Sequence, residues 1–167
     1  SELGRFLDLS DKTVRSYLDI LTGTFMVRQL QPWYENLGKR QVKAPKIYLR
    51  DSGLLHALLS LPDFQTLHGY PRVGASWEGF AIEQALEMIR PSQAFFWATH
   101  SGAEVDLFFI HHGRRYGIEC KFSETPKTTR SMNDASESVT LTYLGLIHPG
   151  EHAYRVSKQS SLWPLTN

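Results

Sequence analysis

The sequence predicts an α/β protein in two parts, in which a small segment of helices and strands precedes a mixed sheet flanked by helices. Three observations favour this class. Two short helical patterns open the chain, two strand-like runs surround a glycine-containing turn at residues 104–122, and a helical pattern at residues 75–90 carries a carboxylate on its apolar face. With 167 residues the chain can bury a real core, as one large domain or as a small domain followed by a medium one.

The N-terminal segment has the element order of a winged helix-turn-helix. Glu2–Leu9 has the spacing of a short helix, and Ser10 is the expected N-cap of a second helix that ends at Gly23. Two strand-like runs follow at residues 25–30 and 46–50, separated by a basic loop. In a winged helix these strands form the wing, and the second helix is the one that would meet DNA.

Basic residues in this segment predict a contact with the phosphate backbone of DNA. The net charge of +1 hides an uneven distribution, because residues 39–50 are strongly basic and contain no acid. Winged-helix modules also serve as docking or linker elements, and a lysine-rich turn is often only a solvated surface, so these alternatives stay open. The candidate nucleic-acid-binding residues are Lys12, Arg15, Lys39, Arg40 and Lys43.

A loop between Pro62 and Gly74, rich in proline, glycine and polar residues, predicts a domain boundary. We therefore divide the chain into residues 1–62 and residues 63–167. The elements predicted after the loop are a helix at 75–90, strands at 93–98, 104–110 and 116–122, a polar or loosely helical crossover at 123–138, and a buried strand at 141–147.

The two middle strands are predicted to form a hairpin that collects charged side chains. If the turn is centred on residues 112–113, antiparallel pairing sets Asp106 opposite Glu119 and Glu104 opposite Lys121, all on one face. Carboxylates directly across a strand pair repel, which predicts a compensating cation, and a divalent metal with oxygen ligands is the natural candidate. The alternative is an ordinary cross-strand ion pair on a solvated face.

The helix at residues 75–90 adds a third carboxylate. Ser76 is its expected N-cap, and at about 100° per residue Glu78 falls in the middle of the apolar arc. The residues of this arc are Trp77, Ala81, Ile82, Ala85, Leu86, Met88 and Ile89. Burying an unpartnered charge is costly, so a metal or a hydrogen-bond network is expected there. Alternatively, Glu78 is favoured by the helix dipole in the first turn and reaches water around the helix end. The residues predicted on the solvated side are Glu83, Glu87 and Arg90.

The spacing of Asp106 and the Glu119-x-Lys121 tripeptide resembles the core motif of the PD-(D/E)xK nuclease superfamily, and the element order is that of the restriction-endonuclease-like fold. This resemblance implies that Asp106 and Glu119 hold one or two Mg²⁺ or Mn²⁺ ions, with Glu78 completing or orienting their ligands. Lys121 would position or deprotonate the attacking water and would offset charge on the pentavalent phosphate. Glu104 is assigned to an outer position or to an ion pair with Lys121.

A longer resemblance covers nearly the whole chain. It is carried by five runs, at residues 11–21, 36–40, 46–56, 74–80 and 102–106. Together these runs look like the domain of unknown function 4143, which follows the ATPase module in a family of prokaryotic AAA-type ATPases. The resemblance implies an N-terminal ATPase module in the same polypeptide, through which the protein would oligomerise. Gly38-Lys39 is no Walker A motif, because the earlier glycine is missing and Arg40 replaces Ser or Thr, so this segment should not bind ATP.

The cysteine and histidine residues of the chain argue against a disulfide framework and against a zinc site. Cys120 is the one cysteine, which argues against a disulfide framework, and it should point into the core as a small hydrophobe. The seven histidines have no repeated ligand spacing, which argues against zinc. No secretory signal or membrane-spanning run is recognised, so a cytoplasmic protein without a membrane partner is expected, and the opening residues look like those of a fragment of a longer protein.

These features lead to one main hypothesis and two others. The main hypothesis is a metal-dependent nuclease-type domain that acts on DNA phosphodiesters. The second is a catalytically inactive nuclease fold that binds DNA or protein and regulates the attached ATPase, with the charged patch kept as an ion-pair network. The third is a DNA-binding regulator that acts through the winged helix.

Overall fold

A computed structural model describes most of the chain as a mixed sheet with helices packed on it. The described residues are 2–34, 44–127, 129–151, 154–155 and 160–164. The helices within these ranges are α1 (Glu2–Leu7), α2 (Asp11–Gly23), α3 (Ser52–Leu58), α4 (Phe64–His68), α5 (Val73–Ile89) and α6 (Arg130–Ser138). The strands are β1 (Val27–Pro32), β2 (Lys46–Leu49), β3 (Ala94–Ala98), β4 (Glu104–His111), β5 (Arg114–Cys120), β6 (Tyr143–His148), β7 (Tyr154–Arg155) and β8 (Ser160–Pro164).

The strands lie in the order β2-β1-β3-β4-β5-β6-β8-β7. Strands β3, β4 and β5 are antiparallel neighbours, and β5, β6 and β8 run parallel, so the predicted mixed α/β class is confirmed. The antiparallel β1–β2 pair, which was predicted as a wing, also continues this sheet. Its link is short, because β1 pairs with β3 only at Gln31–Phe95 and Pro32–Phe96.

The β4–β5 hairpin has the predicted turn and register. His112 and Gly113 both have positive φ, 47° and 72°, which is the backbone of a tight two-residue hairpin turn. Pairing runs from His111–Arg114 to Leu107–Ile118. The pairing ends there, next to Asp106 on β4 and Glu119 on β5.

A bulge in β4 changes which face its residues occupy. Phe95 and Trp97 are two positions apart in β3, but their partners Phe108 and Val105 are three positions apart in β4. Strand β4 therefore carries one extra residue between Val105 and Phe108, in the Asp106-Leu107 pair. Bulges break the alternation of side chains and often re-aim one of them next to a site. The prediction that all four charged hairpin residues share one regular face ignored this irregularity.

The core has two layers, one on each side of the sheet. Helix α5 covers one side with Ala81, Ile82, Ala85 and Leu86, as its apolar arc predicts. Helix α6 covers the other side, where Met132 and Ala135 pack against sheet residues. Cys120 is buried in the α5 layer as a free thiol, which confirms its predicted place.

Two predictions about helix α5 are wrong at its surface. The apolar arc predicts that Met88 and Ile89 are buried, but they are 70 % and 38 % exposed in the last turn of the helix. Glu83 was placed in solvent, yet its side chain is 12 % exposed and pairs with Arg28 of β1 and with Arg50. The β1–β2 pair covers this side of α5. The spacing of apolar residues within the helix cannot predict a contact with a segment so distant in the sequence.

Helix boundaries differ near the predicted loop. Helix α5 begins at Val73, and Ser76 is not its cap; the Ser76 hydroxyl instead shares a 2.7 Å hydrogen bond with His56 Nε2 of α3. Part of the predicted loop is helix α4, whose N-cap Asp63 accepts a hydrogen bond from the Thr66 amide. Strands β7 and β8 were not predicted. No helix in the described part of the chain is long and apolar enough to span a membrane.

Tight packing around Gly117 provides a test of the fold. A Cβ atom there would lie 2.6 Å from Leu141 Cδ1 and 3.0 Å from Val105 Cγ1. We expect Gly117→Ala to lower the free energy of unfolding by about 1–3 kcal/mol, since added volume in a packed layer forces neighbours to shift. Gly74→Ala is the control, because Gly74 lies in α5 and a Cβ there meets nothing within 4 Å. Equal urea midpoints for the two variants would contradict this packing.

Candidate active site

Two buried carboxylates on neighbouring strands form the centre of the candidate site. Asp106 of β4 is 4 % exposed and Glu119 of β5 is 5 % exposed. Asp106 Oδ2 accepts a 2.9 Å hydrogen bond from the Cys120 amide, and Glu119 Oε1 accepts a 2.7 Å bond from Lys121 Nζ. The backbone amide of the last residue of β5 thus donates to the Asp106 carboxylate, which fixes the orientation of this side chain relative to Glu119.

Lys46 of β2 joins this centre to helix α5. Its ammonium donates to Glu78 Oε1 at 2.8 Å and to Asp106 Oδ1 at 2.9 Å, and it also pairs with Glu104. Lys46 therefore links the Glu78 carboxylate to Asp106 of the hairpin. The Glu78 side chain is 25 % exposed, and a hydrogen-bond network, one of the two partners expected for it, surrounds its carboxylate.

Tyr48 completes the contact between β2 and α5. Its hydroxyl donates to Glu78 Oε1 at 2.5 Å. Gly79 permits this approach, because a Cβ at that position would lie 3.2 Å from Tyr48 Cδ1. Sequence reasoning missed both β2 residues, since it assigned Lys46 only to the basic stretch. The alternation of Lys46 and Tyr48 on one face of β2 was the available signal.

The ion pairs of the hairpin are distributed differently from the prediction. Glu104 pairs with Lys46, and Lys121 pairs with Glu119 next to it on the same strand end. The predicted Glu104–Lys121 pair is thus replaced by two others. Asp106 and, more weakly, Glu104 couple the two groups, because the charge of each acts on both Lys46 and Glu119.

Burial governs the acidities in the site. Burial, together with the charge of Glu78, raises the pKa of Asp106 to about 6, although Lys46 opposes the shift. Burial and the neighbouring charge of Asp106 raise the pKa of Glu119 to about 8, with Lys121 opposing. Burial alone would lower the pKa of Lys46, but Asp106 and the other nearby acids outweigh it and raise that pKa.

The site has more negative than positive groups. Its four carboxylates (Glu78, Glu104, Asp106 and Glu119) face two ammonium groups (Lys46 and Lys121), a formal charge of −2 if all are ionised. In addition, Glu119 Oε2 is buried and has no hydrogen-bond partner among the described residues. A buried acceptor of this kind is costly unless a donor or a cation reaches it.

Whether these residues fit a divalent metal can be judged from donors and charge. Carboxylate oxygens are the ligands that Mg²⁺ and Mn²⁺ prefer, the excess charge equals that of one such ion, and Glu119 offers an unused oxygen. In the described part of the chain, however, no three acidic, histidine or cysteine side chains already converge as a metal-binding group. Lys46 lies between three of the carboxylates instead. The donor set fits a metal on the condition that Lys46 gives way.

The predicted nucleic-acid-binding residues fall in a different part of the chain. Lys12 and Arg15 lie on α2 with exposed side chains, as predicted. Lys39, Arg40 and Lys43 lie outside the described residues.

Comparison with known proteins defines the family. Residues 73–167, more than half of the chain, match the model of the family described as "Domain of unknown function (DUF4143)". The chain belongs to the DUF4143 family. This confirms the resemblance to domain 4143. Residues 1–65 match a second model, "Domain of unknown function (DUF8612)". The division of this DUF4143 chain at residues 62 and 63 stays a prediction.

Relatives of this DUF4143 chain include two longer mycobacterial proteins. The uncharacterized proteins Mb2031c of Mycobacterium bovis and Rv2008c of Mycobacterium tuberculosis are each 46 % identical to it over 157 residues. The match covers 94 % of this chain but 36 % of each relative. The chain therefore spans about a third of their length. No solved structure matches it significantly.

The raised pKa of Glu119 predicts how stability depends on pH. Between its ordinary value of 4.5 and the folded-state value of about 8, the folded protein keeps a proton that the unfolded chain releases. The free energy of unfolding of the metal-free protein therefore falls as pH rises through this window. Glu119→Gln removes this loss, so its melting temperature should exceed that of wild type by several degrees at pH 8 and by little at pH 5.

Thermal melts in EDTA at pH 5, 6.5 and 8 measure this difference. Glu87→Gln is the control, because Glu87 is an exposed acid on α5 that pairs only with the nearby Arg90 side chain among the described residues. Parallel pH profiles for wild type and Glu119→Gln would show that the Glu119 carboxylate carries no burial cost.

Proposed function

We propose that this chain carries a divalent-metal-dependent phosphodiesterase site of the PD-(D/E)xK nuclease type, in a restriction-endonuclease-like fold, and that it acts on DNA. The observation that supports it best is the pair of buried carboxylates, Asp106 and Glu119, on adjacent strands, with Lys121 bonded to Glu119 and a Glu119 oxygen left without a partner. Buried like charges with perturbed acidity are typical of functional sites. An ordinary solvated hairpin face would not bury them.

In this proposal Asp106, Glu119 and Glu78 hold Mg²⁺ or Mn²⁺. A bound ion of this kind lowers the pKa of its water and polarises a phosphoryl oxygen, which is why no nucleophilic side chain is required. The protein contributes fixed positions for the ligands. The Cys120 amide holds Asp106, and the Tyr48 hydroxyl holds Glu78.

The surroundings of Lys121 decide between removing a proton from the attacking water and offsetting charge on the phosphate. Its side chain is 41 % exposed, so it can reach a substrate phosphate from the edge of the buried pair. Burial would lower the pKa of Lys121, but the hydrogen bond from Lys121 to Glu119 outweighs this and raises it. The ammonium therefore stays protonated at neutral pH, which favours offsetting charge on the phosphate over removing a proton from water.

The wider setting is also part of the proposal. Helices α1 and α2 with the antiparallel β1–β2 pair have the order of a winged helix, and exposed Lys12 and Arg15 on α2 would contact the DNA backbone. The much greater length of the mycobacterial relatives supports an additional module, which we take to be an ATPase in the same polypeptide that binds ATP and forms the oligomer. The lone buried cysteine supports a cytoplasmic location.

Cleavage assays with matched variants test the activity. Labelled single-stranded, duplex and branched DNA would be incubated with Mn²⁺ or Mg²⁺, using this chain and the full-length protein. We expect Asp106→Asn and Lys121→Ala to reduce cleavage by about 100-fold or more, because each removes a ligand or a charge that acts on the phosphate. Glu87→Gln, an exposed acid on the same helix as Glu78, should cleave like wild type.

The assay has two contradicting outcomes. Cleavage that persists undiminished in Asp106→Asn would come from a contaminant or another site. No cleavage by folded wild type, alone and in the full-length protein, would refute the enzymatic proposal.

A second candidate function follows from Lys46 alone. Its ammonium already compensates Glu78, Glu104 and Asp106, so the patch also suits an ion-pair network in an inactive module that binds DNA or protein and regulates the attached ATPase. On this alternative the acids serve stability rather than metal binding.

Lys46→Met separates the two candidates. Removing the ammonium leaves three close carboxylates uncompensated, so the free energy of unfolding in EDTA should fall by about 2–4 kcal/mol. If the proposed metal site is real, millimolar Mn²⁺ should restore most of this loss, since the ion takes over the same carboxylates. Lys12→Met, an exposed lysine on α2, is the control and should change little. Urea titrations with and without Mn²⁺ measure the effect, and a loss that Mn²⁺ does not restore supports the inactive module.

A further inference from the structure

A cavity of about 650 Å³ lies beside the candidate active site. Trp77 and Phe122 line it, and these residues are the chain neighbours of Glu78 and Lys121. The cavity is therefore formed by the same two segments that supply the acidic helix residue and the lysine of the site. Its volume is in the range of pockets that bind small molecules.

The wall of the cavity is a continuous series of aromatic rings. Phe64 stacks on His68 at 5.7 Å between ring centroids, and His68 lies 5.8 Å from Phe122. Phe122 lies 6.0 Å from Trp77, which in turn lies 5.9 Å from Phe80. The rings of this surface thus come from α4, from α5 and from the segment directly after β5. A flat aromatic ligand would find faces and edges to stack on along this whole wall.

Polar groups in the wall could recognise the edge of such a ligand. His56 and Ser76 share their 2.7 Å hydrogen bond at the cavity wall, and Glu124 also lines it. Their donors and acceptors suit hydrogen bonds to the edge of a base.

One ring of the wall is open to solvent. Phe64 is 77 % exposed, although it lines the cavity and stacks on His68. An apolar ring in this position gains nothing from the protein core. At the mouth of an aromatic pocket it forms a platform on which an incoming base can stack.

We infer that this cavity is a subsite for an unpaired nucleobase of a single-stranded or locally opened nucleic acid. The inference rests on the proposed function for the position of the phosphate, which would lie at Lys121 and the buried carboxylates. Unpaired bases are recognised by stacking on aromatic side chains and by hydrogen bonds to their edges, and stacking is tolerant of sequence. A fully paired duplex keeps its bases in the helix and cannot fill the cavity.

Equilibrium binding in EDTA tests the subsite without any cleavage. The probes are a fluorescein-labelled oligo(dT) of about twelve nucleotides and an oligomer of the same length and charge with abasic sites in its centre, read by fluorescence anisotropy. We expect Phe64→Ala to weaken oligo(dT) binding about tenfold, because one base loses its stacking partner. On the abasic oligomer the variant and wild type should bind equally.

Phe6→Ala is the matched control. Phe6 on α1 is 85 % exposed, so its substitution changes surface hydrophobicity as much as that of Phe64, which lines the cavity. It should leave both affinities unchanged. Both positions are exposed, so neither variant is expected to unfold the protein.

Three results would overturn the inference: no oligo(dT) binding by wild type, wild-type affinity in Phe64→Ala, or an equal loss on the abasic oligomer. If Phe64→Ala loses binding of an apolar dye but not of oligo(dT), the cavity is an apolar docking groove. The outcome is separate from that of the cleavage assay. Base-dependent binding without cleavage would support the subsite and refute the phosphodiesterase, and cleavage without base dependence would do the reverse.

Discussion

A single ammonium group allows three carboxylates to share one space in this protein. Lys46 bonds to Glu78 and Asp106 and pairs with Glu104, so acids from α5 and β4 meet around a shared cation that offsets part of their charge. If Lys46 were absent, the packing of α5 on the sheet would force ionised groups together in a poorly hydrated place. The position of β2 beside α5 is therefore an electrostatic requirement as much as a matter of apolar packing.

The hairpin was the part of the site that the sequence could predict. A tight turn at His112 and Gly113 fixes the register, which runs as far as Leu107 and Ile118, the chain neighbours of Asp106 and Glu119. These are local relations, in which residues a few positions apart determine each other's place. The apolar arc of α5 is local in the same sense, and its central residues are buried as predicted.

The remaining features depend on contacts between distant segments. Lys46 lies 60 residues before Asp106 and Glu83 lies 55 residues after Arg28, so no local pattern could assign these partners. The bulge at Asp106 is hidden for another reason. The sequence of β4 by itself is compatible with a regular strand. The extra residue is recognised only when the positions between paired residues are counted in both β4 and β3. Sequence periodicity therefore identified the acids of the site and missed the cation among them.

The short link between β1 and β3 bears on how this protein can be divided. The two family matches end at residue 65 and begin at residue 73, which invites treatment of the C-terminal part as a unit complete in itself. All four acids lie in that part, whereas Lys46 and Tyr48 come from the other side of the break. A chain cut there would keep every carboxylate and lose the ammonium group that pairs with three of them. The charged site of this protein is therefore built from both of the segments that match family models.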